Sequence, residues 1–438
     1  MLPYGHHVDN VSAHGLIHRN PCLGRLNYSQ ILGWTVQKEP MPPLLKIDDH
    51  QHGQHSRRKF ALWELGFRPF YFLASIFAAL SIALWALQSV GVLGQPYLAG
   101  PMWHAHEMLF GFALAVVVGF LLTAGRNWSN QPTPTGSTLA ALAALWIAAR
   151  ILVLTPFGWA AAVANTAFPL VAAIALAIPF YKARVQRNYF FVVLLVLMAG
   201  ASLLIHLGHL RVITLPGWMG VQIGLNILLF IMVVMAGRVI PMFTNNGVVG
   251  ARAGKNPMLE KIALGSVLIL LPADLFQLDG TALSILLTIG AVAHLLRWWR
   301  WQPWKTVGTP IVWILHAAYF WIPVHLAFRA LAELGVISTS AATHALTVGA
   351  AGALIIGMMT RTTRGHTGYP LQADRIDVAC YLLILAAALV RVGLPLLMPS
   401  LTVFALVLSS ICWSLGFGLY AIHYWPILSR ARIDGKPG

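Results

Sequence analysis

Charge is scarce in this sequence. Of its 438 residues only 10% are Asp, Glu, Lys or Arg, while 58% are hydrophobic, a balance that soluble domains, about one-quarter charged, do not approach. Cysteine is scarcer still. Cys22, Cys380 and Cys412 are too few and too far apart for a disulfide framework or a thiolate metal site. Secreted disulfide-rich and nucleic-acid-binding classes are thereby excluded. The apolar character runs from about residue 67 to the end, so neither a signal peptide nor a single anchor accounts for it. The lipid bilayer is the first partner that this composition implies. Acidic residues number 13 against 29 Lys and Arg, a net charge of +16, and in a polytopic chain such an excess is read from its distribution among the loops.

Apolar runs of about 20 residues, set against a hydrocarbon core of roughly 30 Å, predict an all-α polytopic membrane protein. Twelve transmembrane helices are expected near 67–90, 102–124, 137–156, 159–181, 190–210, 219–241, 260–276, 280–297, 311–332, 340–360, 377–396 and 400–427. The seventh and eighth are short and separated only by the turn from Asp274 to Asp279, the pattern of a hairpin that does not cross fully. With a cytoplasmic N-terminus, 25 of the 29 Lys and Arg fall on the cytoplasmic side, and only Arg150, Arg211, Arg329 and Arg391 fall outside it. Both N- and C-termini are therefore expected to be cytoplasmic. Residues 61–438 form a single helical transmembrane domain with no room for an inserted soluble one. Residues 1–60 are polar and aperiodic, and they carry His6, His7, His14, His18, His50, His52 and His55. They read as a disordered tail whose last three histidines bind metal weakly at most. Met41 is an alternative start, with 1–40 a gene-model extension.

A titratable group inside a span is costly unless it has a partner, so intramembrane His and Glu mark functional candidates. His104 and His106 open the second span, His206 and His209 close the fifth, and His344 opens the tenth. His325 lies about 14 residues into the ninth, roughly 21 Å along it at 1.5 Å per residue, in the same outer third. Six imidazoles thus share one depth, whereas His294, His316, His366 and His423 lie toward the cytoplasm. Without cysteine, such a layer suits a haem or a copper site built between helices. His206 and His209, three apart, share a helix face and could ligate one ion. His104 and His106, two apart, point about 200° from each other and should serve different partners. Glu107 is the one carboxylate well inside an apolar span, and it could orient a ligand histidine or pass protons. The plainer alternative is that these groups bond neighbouring carbonyls and keep the bundle in register.

The second, sixth and tenth spans share a design, being rich in small residues and ending at Gly125-Arg126, Gly237-Arg238 and Thr360-Arg361. They are four spans apart, which suggests three four-helix units about a pseudo-threefold axis, with His104 or His106 facing His344 across a planar cofactor. The blocks Gly66-Phe67-Arg68-Pro69-Phe70, Trp103-His104-Ala105-His106-Glu107-Met108-Leu109-Phe110-Gly111, Gly237-Arg238-Val239-Ile240-Pro241-Met242-Phe243-Thr244, His344-Ala345-Leu346-Thr347-Val348-Gly349 and Met359-Thr360-Arg361, continuing to Gly365-His366-Thr367-Gly368, combine polar groups with apolar helix. On these residues the chain resembles the NnrS family of bacterial inner-membrane proteins associated with the nitric oxide response, over 61–438.

The resemblance implies a haem of b type, copper, and growth under nitrosative stress. Twelve spans with haem and copper are also similar in layout to the catalytic subunits of haem-copper oxidases and nitric oxide reductases, which likewise have axial histidines near the outer ends of the second and tenth helices. Here the sixth span lacks both histidine and the His-Pro-Glu-Val-Tyr signature of those enzymes. Copper is therefore assigned to His206 and His209 with His325, haem to His104, His106 and His344, propionate neutralisation to Arg211 and proton supply to Glu107. The expected activity is binding and reduction or removal of nitric oxide by an oxidoreductase with an unknown electron donor. Two rival readings are a non-catalytic haem-based sensor or protective protein, and a twelve-helix transporter. The second is disfavoured by the near absence of charge facing a midplane cavity.

Overall fold

The computed structural model describes residues 60–89, 91–92 and 96–436. The expected N-terminal tail and its histidine cluster lie outside these residues, as does the alternative start at Met41. Among the described residues the regular structure is entirely helical. In chain order the apolar segments become α1 (Phe67–Ser89), α2 (Gly100–Ser129), α3 (Gly136–Leu152), α4 (Gly158–Ala183), α5 (Tyr189–His209), α6 (Gly217–Gly247), the pair α7 (Pro257–Leu268) and α8 (Leu270–Leu275), α9 (Gly280–Arg300), α10 (Pro310–Glu333), α11 (Thr339–Thr367), α12 (Arg375–Leu397) and α13 (Thr402–Ser429). Ten of them are long and apolar enough to cross a bilayer, and α3 is a shorter apolar helix of 17 residues. The protein is a multi-pass membrane protein.

The seventh expected span is split, and the cause is local. Pro272 has no N–H to donate, and its ring crowds the carbonyl of the residue four earlier, Leu268, where α7 stops. The eighth, α9, is an unbroken helix of 21 residues. Helix starts follow from sequence as well. Asn256 caps α7 through Leu259 N–H ahead of Pro257, and Asp374 and Asp377 form a reciprocal capping box on α12. At the far end of the chain the Arg68 guanidinium donates to the carbonyls of Leu428 (2.9 Å) and Arg430 (2.8 Å), tying α1 to the end of α13.

Burial orders the helices. In α2, α11 and α6, 83%, 72% and 67% of the apolar window is buried, against 28–61% in the other seven spans. These are the tenth, sixth and second spans of the sequence reading, which therefore lie innermost, while helices such as α12 and α13 keep most of their apolar surface for lipid. Two of the inner three share a further feature. Just past its first turn, α2 is π-helical over Glu107–Ala113, and α11 is π-helical over Ala345–Gly352. Each segment begins one residue after a histidine, His106 and His344, and each has a glycine five residues past that histidine. A π turn inserts an extra residue and so resets which way the preceding side chains face, a device frequent at functional sites. The inner helix α6 has no such interruption.

Candidate functional site

The histidine layer resolves into separate clusters. The most buried is built on α2, α3, α4, α5 and the loop before α2. His106 and Glu107 are both fully buried, and His106 Nδ1 lies 2.8 Å from Glu107 Oε1. The same oxygen accepts from Arg150 Nη1 of α3 at 2.8 Å. Arg150 in turn donates to the side-chain oxygen of Asn165 on α4, whose amide is anchored on the Ala161 carbonyl at 2.8 Å. Facing this group across the helix gap is His206 of α5, its ring centroid 4.9 Å from that of His106. Tyr97 closes the cluster. Its hydroxyl contacts His206 Nδ1 (3.3 Å) and the His206 carbonyl (3.2 Å), and its own carbonyl accepts from His209 Nε2 at 2.7 Å.

As their spacing requires, His104 turns elsewhere. It stacks on Trp85 of α1, ring centroids 4.5 Å apart, and lies within electrostatic reach of His344 of α11 and of Arg391 of α12. His344 Nδ1 donates to the Ser340 carbonyl one turn back at 2.7 Å, which leaves its Nε2 as the nitrogen available to a ligand. His325 belongs to a third place. Its Nδ1 donates to the Ala342 carbonyl at 2.8 Å, and its ring lines a cavity of about 160 Å³ together with Gln222, Arg329, Glu333, Thr339 and Thr343. Behind that cavity Asp274 of α8 accepts from Arg329, from Asn226 (2.5 Å) and from Gln222 (3.0 Å). Arg211 and His209 line a wider opening of about 490 Å³ with Met102 and Ile205.

His206, His209 and His325 are therefore not gathered into one three-ligand set. Among the described residues the one group of three His, Cys or carboxylate residues with ligand atoms within 4.8 Å of one another is Asp374, Asp377 and His423. A cation already occupies that group, since Arg364 Nη2 binds Asp374 at 2.6 Å and Asp377 at 2.7 Å. The remaining deep histidines have protein partners. His294 bonds Tyr319 and the Ala263 carbonyl, His316 bonds Thr244 at 2.8 Å, and His366 packs on Phe67.

Three buried imidazole nitrogens in the layer have no hydrogen-bond partner: His104 Nδ1, His106 Nε2 and His206 Nε2. Leaving a buried polar atom unsatisfied costs about 1–3 kcal/mol each, and metal coordination is the interaction that an imidazole lone pair in an apolar layer fits best. A family model for the NnrS protein matches residues 61–432. The chain belongs to the NnrS family. No curated protein sequence matches it. The NnrS family is generally associated with haem and copper, groups that imidazole nitrogens can ligate.

Tyr97, Arg150, Asn165, Trp85 and Arg391 were not among the site residues expected from sequence. The four Lys or Arg residues that break the inside-positive bias were nevertheless a usable signal. Arg150 pairs with Glu107, Arg329 pairs with Asp274, Arg391 lies within electrostatic reach of His104 and His344, and Arg211 lines the opening beside His209. A cation on the disfavoured side of a membrane protein is retained for a partner there.

Proposed function

We propose that the histidine end of the bundle holds a haem and a copper ion in the periplasmic half of a bacterial inner membrane, where nitric oxide is bound and reduced. The observation that carries this reading is the set of buried, unpartnered imidazole nitrogens on helices that meet at one end of a chain of the NnrS family. The orientation rests on the 25 of 29 Lys and Arg that fall on one side.

His104 and His344 are the residues that would hold the haem, with Trp85 against the His104 ring and Arg391 beside both to neutralise propionate charge. Copper belongs on the His206 side of the same layer. When bound, the two metals supply electron transfer and a binding position for a small diatomic gas. The protein's own contribution is positional. The buried wall of Phe110, Leu109 and Ile205 excludes water, and nitric oxide, small and apolar, reaches such a place through lipid. The reaction takes two molecules of nitric oxide, two electrons from an external donor and two protons to nitrous oxide and water. Glu107 accepts from both Arg150 and His106 on one oxygen, which suits it to holding His106 in place, and its second oxygen is buried and unpartnered.

The test is purified protein in detergent, reduced and given nitric oxide under anaerobic conditions, with nitrous oxide counted by gas chromatography. One nitrous oxide per two nitric oxide consumed is expected. His104→Ala and His344→Ala should each lose haem, seen as loss of its absorption bands, and lose gas consumption with it. If the haem bands shift on adding gas but no nitrous oxide forms, the protein captures nitric oxide without turnover and the catalytic reading is wrong.

A further inference from the structure

The hydrogen bonds of the most buried cluster bear on which ring nitrogens carry protons. Glu107 accepts a hydrogen bond from Arg150 and is an acceptor only, so His106 Nδ1, 2.8 Å away, carries its ring's proton. His106 Nε2 is then a bare lone pair. Tyr97 has a single hydroxyl hydrogen, and the His206 carbonyl, 3.2 Å away, can only accept it. With that hydrogen on the carbonyl, the tyrosine oxygen accepts from His206 Nδ1, and His206 Nε2 is left bare as well. Both nitrogens are buried without any donor in reach, on fully buried side chains whose rings lie 4.9 Å apart.

We propose that His106 and His206 hold one copper ion between them, with Glu107 and Tyr97 acting as positioning residues that fix the two rings. The carboxylate behind His106 repeats the support that metal-ligating histidines ordinarily receive from a carboxylate or carbonyl. His209, which donates to the Tyr97 carbonyl, holds the tyrosine in place rather than the metal. Charge selects the ion. The two ligands are neutral, and the negative charge of Glu107 is already balanced by Arg150, so the pocket has no net negative charge to offset a divalent cation. The desolvation cost of a buried ion rises with the square of its charge. Among ions that imidazole binds well, monovalent copper meets this condition and divalent zinc does not. Two protein ligands also leave coordination positions open for a small gas.

This inference rests on reading the histidine end as a metal centre, but its test counts metal and needs no turnover. The full-length protein, purified in detergent and stripped with a chelator, is titrated anaerobically with copper(I) and separately with zinc(II). Metal and haem per chain are then measured on the same samples. Wild type should retain one copper and no zinc after desalting, with nitrogen ligands at the copper absorption edge. His106→Gln and His206→Gln should fall below one-tenth of that copper while keeping their haem, whereas His325→Ala should keep both. Glu107→Gln and Tyr97→Phe should bind copper 10–100-fold more weakly, the usual effect of removing the group behind a ligand.

Full copper in His206→Gln, loss of copper in His325→Ala, retention of zinc in preference to copper, or loss of haem rather than copper in His106→Gln would each overturn the assignment. A chain that loses both groups has unfolded, and there the copper affinities of Glu107→Gln and Tyr97→Phe decide: unchanged affinity in both overturns it. Wild type with haem, gas turnover and no copper would refute the copper pair alone. Copper bound as expected without haem would instead refute the proposed haem position.

Discussion

Replacing Arg150 with methionine is expected to remove about 3–5 kcal/mol of stability, because it strands the Glu107 carboxylate in the bundle interior without its counter-charge. Glu107 has no exposed surface, and Arg150 is the cation that meets its Oε1. The site has been shaped around this pair. A methyl group added at Gly111, one turn along α2, would fall on Arg150 Nη1, so the glycine makes the space that the guanidinium fills. Asn165, on α4, fixes the other end of the guanidinium. The double variant R150M/E107Q should recover most of the loss, since removing both charges leaves no ion to solvate. Unfolding midpoints of the four proteins of the cycle in detergent check this, and the coupling should be favourable by more than about 1 kcal/mol. A Tm for R150M within a degree of wild type would show that water reaches Glu107 and that the pair is not buried in solution. Glu107→Gln, which strands the buried Arg150 cation in turn, should cost more stability than the double variant and should also weaken copper binding.

Hydropathy made the helices legible, because each is a continuous apolar run of about bilayer length. Its failure at the seventh span is instructive. The run from 260 to 276 is apolar on average despite Glu260, Lys261 and Asp274, but Pro272 dictates a break that such an average cannot register. The expectation that six histidines share one depth came from their positions along the spans, since residues convert directly to height. Depth gives no bearing around the bundle, and that is where the expected copper set parts from the observed contacts. His325 stands on α10, which packs on α9 and α11, whereas His206 stands on α5, which packs on α4 and α6. They face different neighbours. The divergence of His104 and His106 was legible because it depends only on the helical angle within one element. Which helix each ring meets depends on packing and on the π segment after His106, for which Glu107-Met108-Leu109-Phe110 gives no local cue. Tyr97, in the loop before α2, was invisible for a similar reason, because a loop residue acquires its role from the fold that surrounds it.

The second large effect is expected away from the histidine clusters, at Gly237 of α6. Arg297 of α9 is almost fully buried and makes four hydrogen bonds to three groups: Glu260 of α7 through Nε (2.9 Å) and Nη2 (2.5 Å), Tyr319 of α10 (2.9 Å) and the Val233 carbonyl of α6 (3.1 Å). Tyr319 passes its own hydrogen to His294 Nδ1 at 2.6 Å, and His294 ends the chain by donating to the Ala263 carbonyl. One guanidinium thus joins α6, α7, α9 and α10. It lies directly against the bare backbone of Gly237, where any Cβ would sit inside the radius of Nη2. A long side chain ordinarily yields to a methyl group, but this one is held at every nitrogen and backed by the Trp301 ring, its CZ 5.0 Å from the centroid. Gly237→Ala should therefore cost about 3–5 kcal/mol, the range for separating a buried charge from its partners. Gly200→Ala in α5, with open space where the methyl would go, should be neutral or stabilise by up to about 1 kcal/mol through helix propensity. Steric displacement of Arg297 predicts non-additivity. Once Arg297 is methionine the added methyl has little to displace, so Gly237→Ala in that background should cost less than half of what it costs in wild type, measured by thermal unfolding in the same detergent. Equal costs in the two backgrounds would mean that Gly237 is required by something other than the guanidinium packed against it.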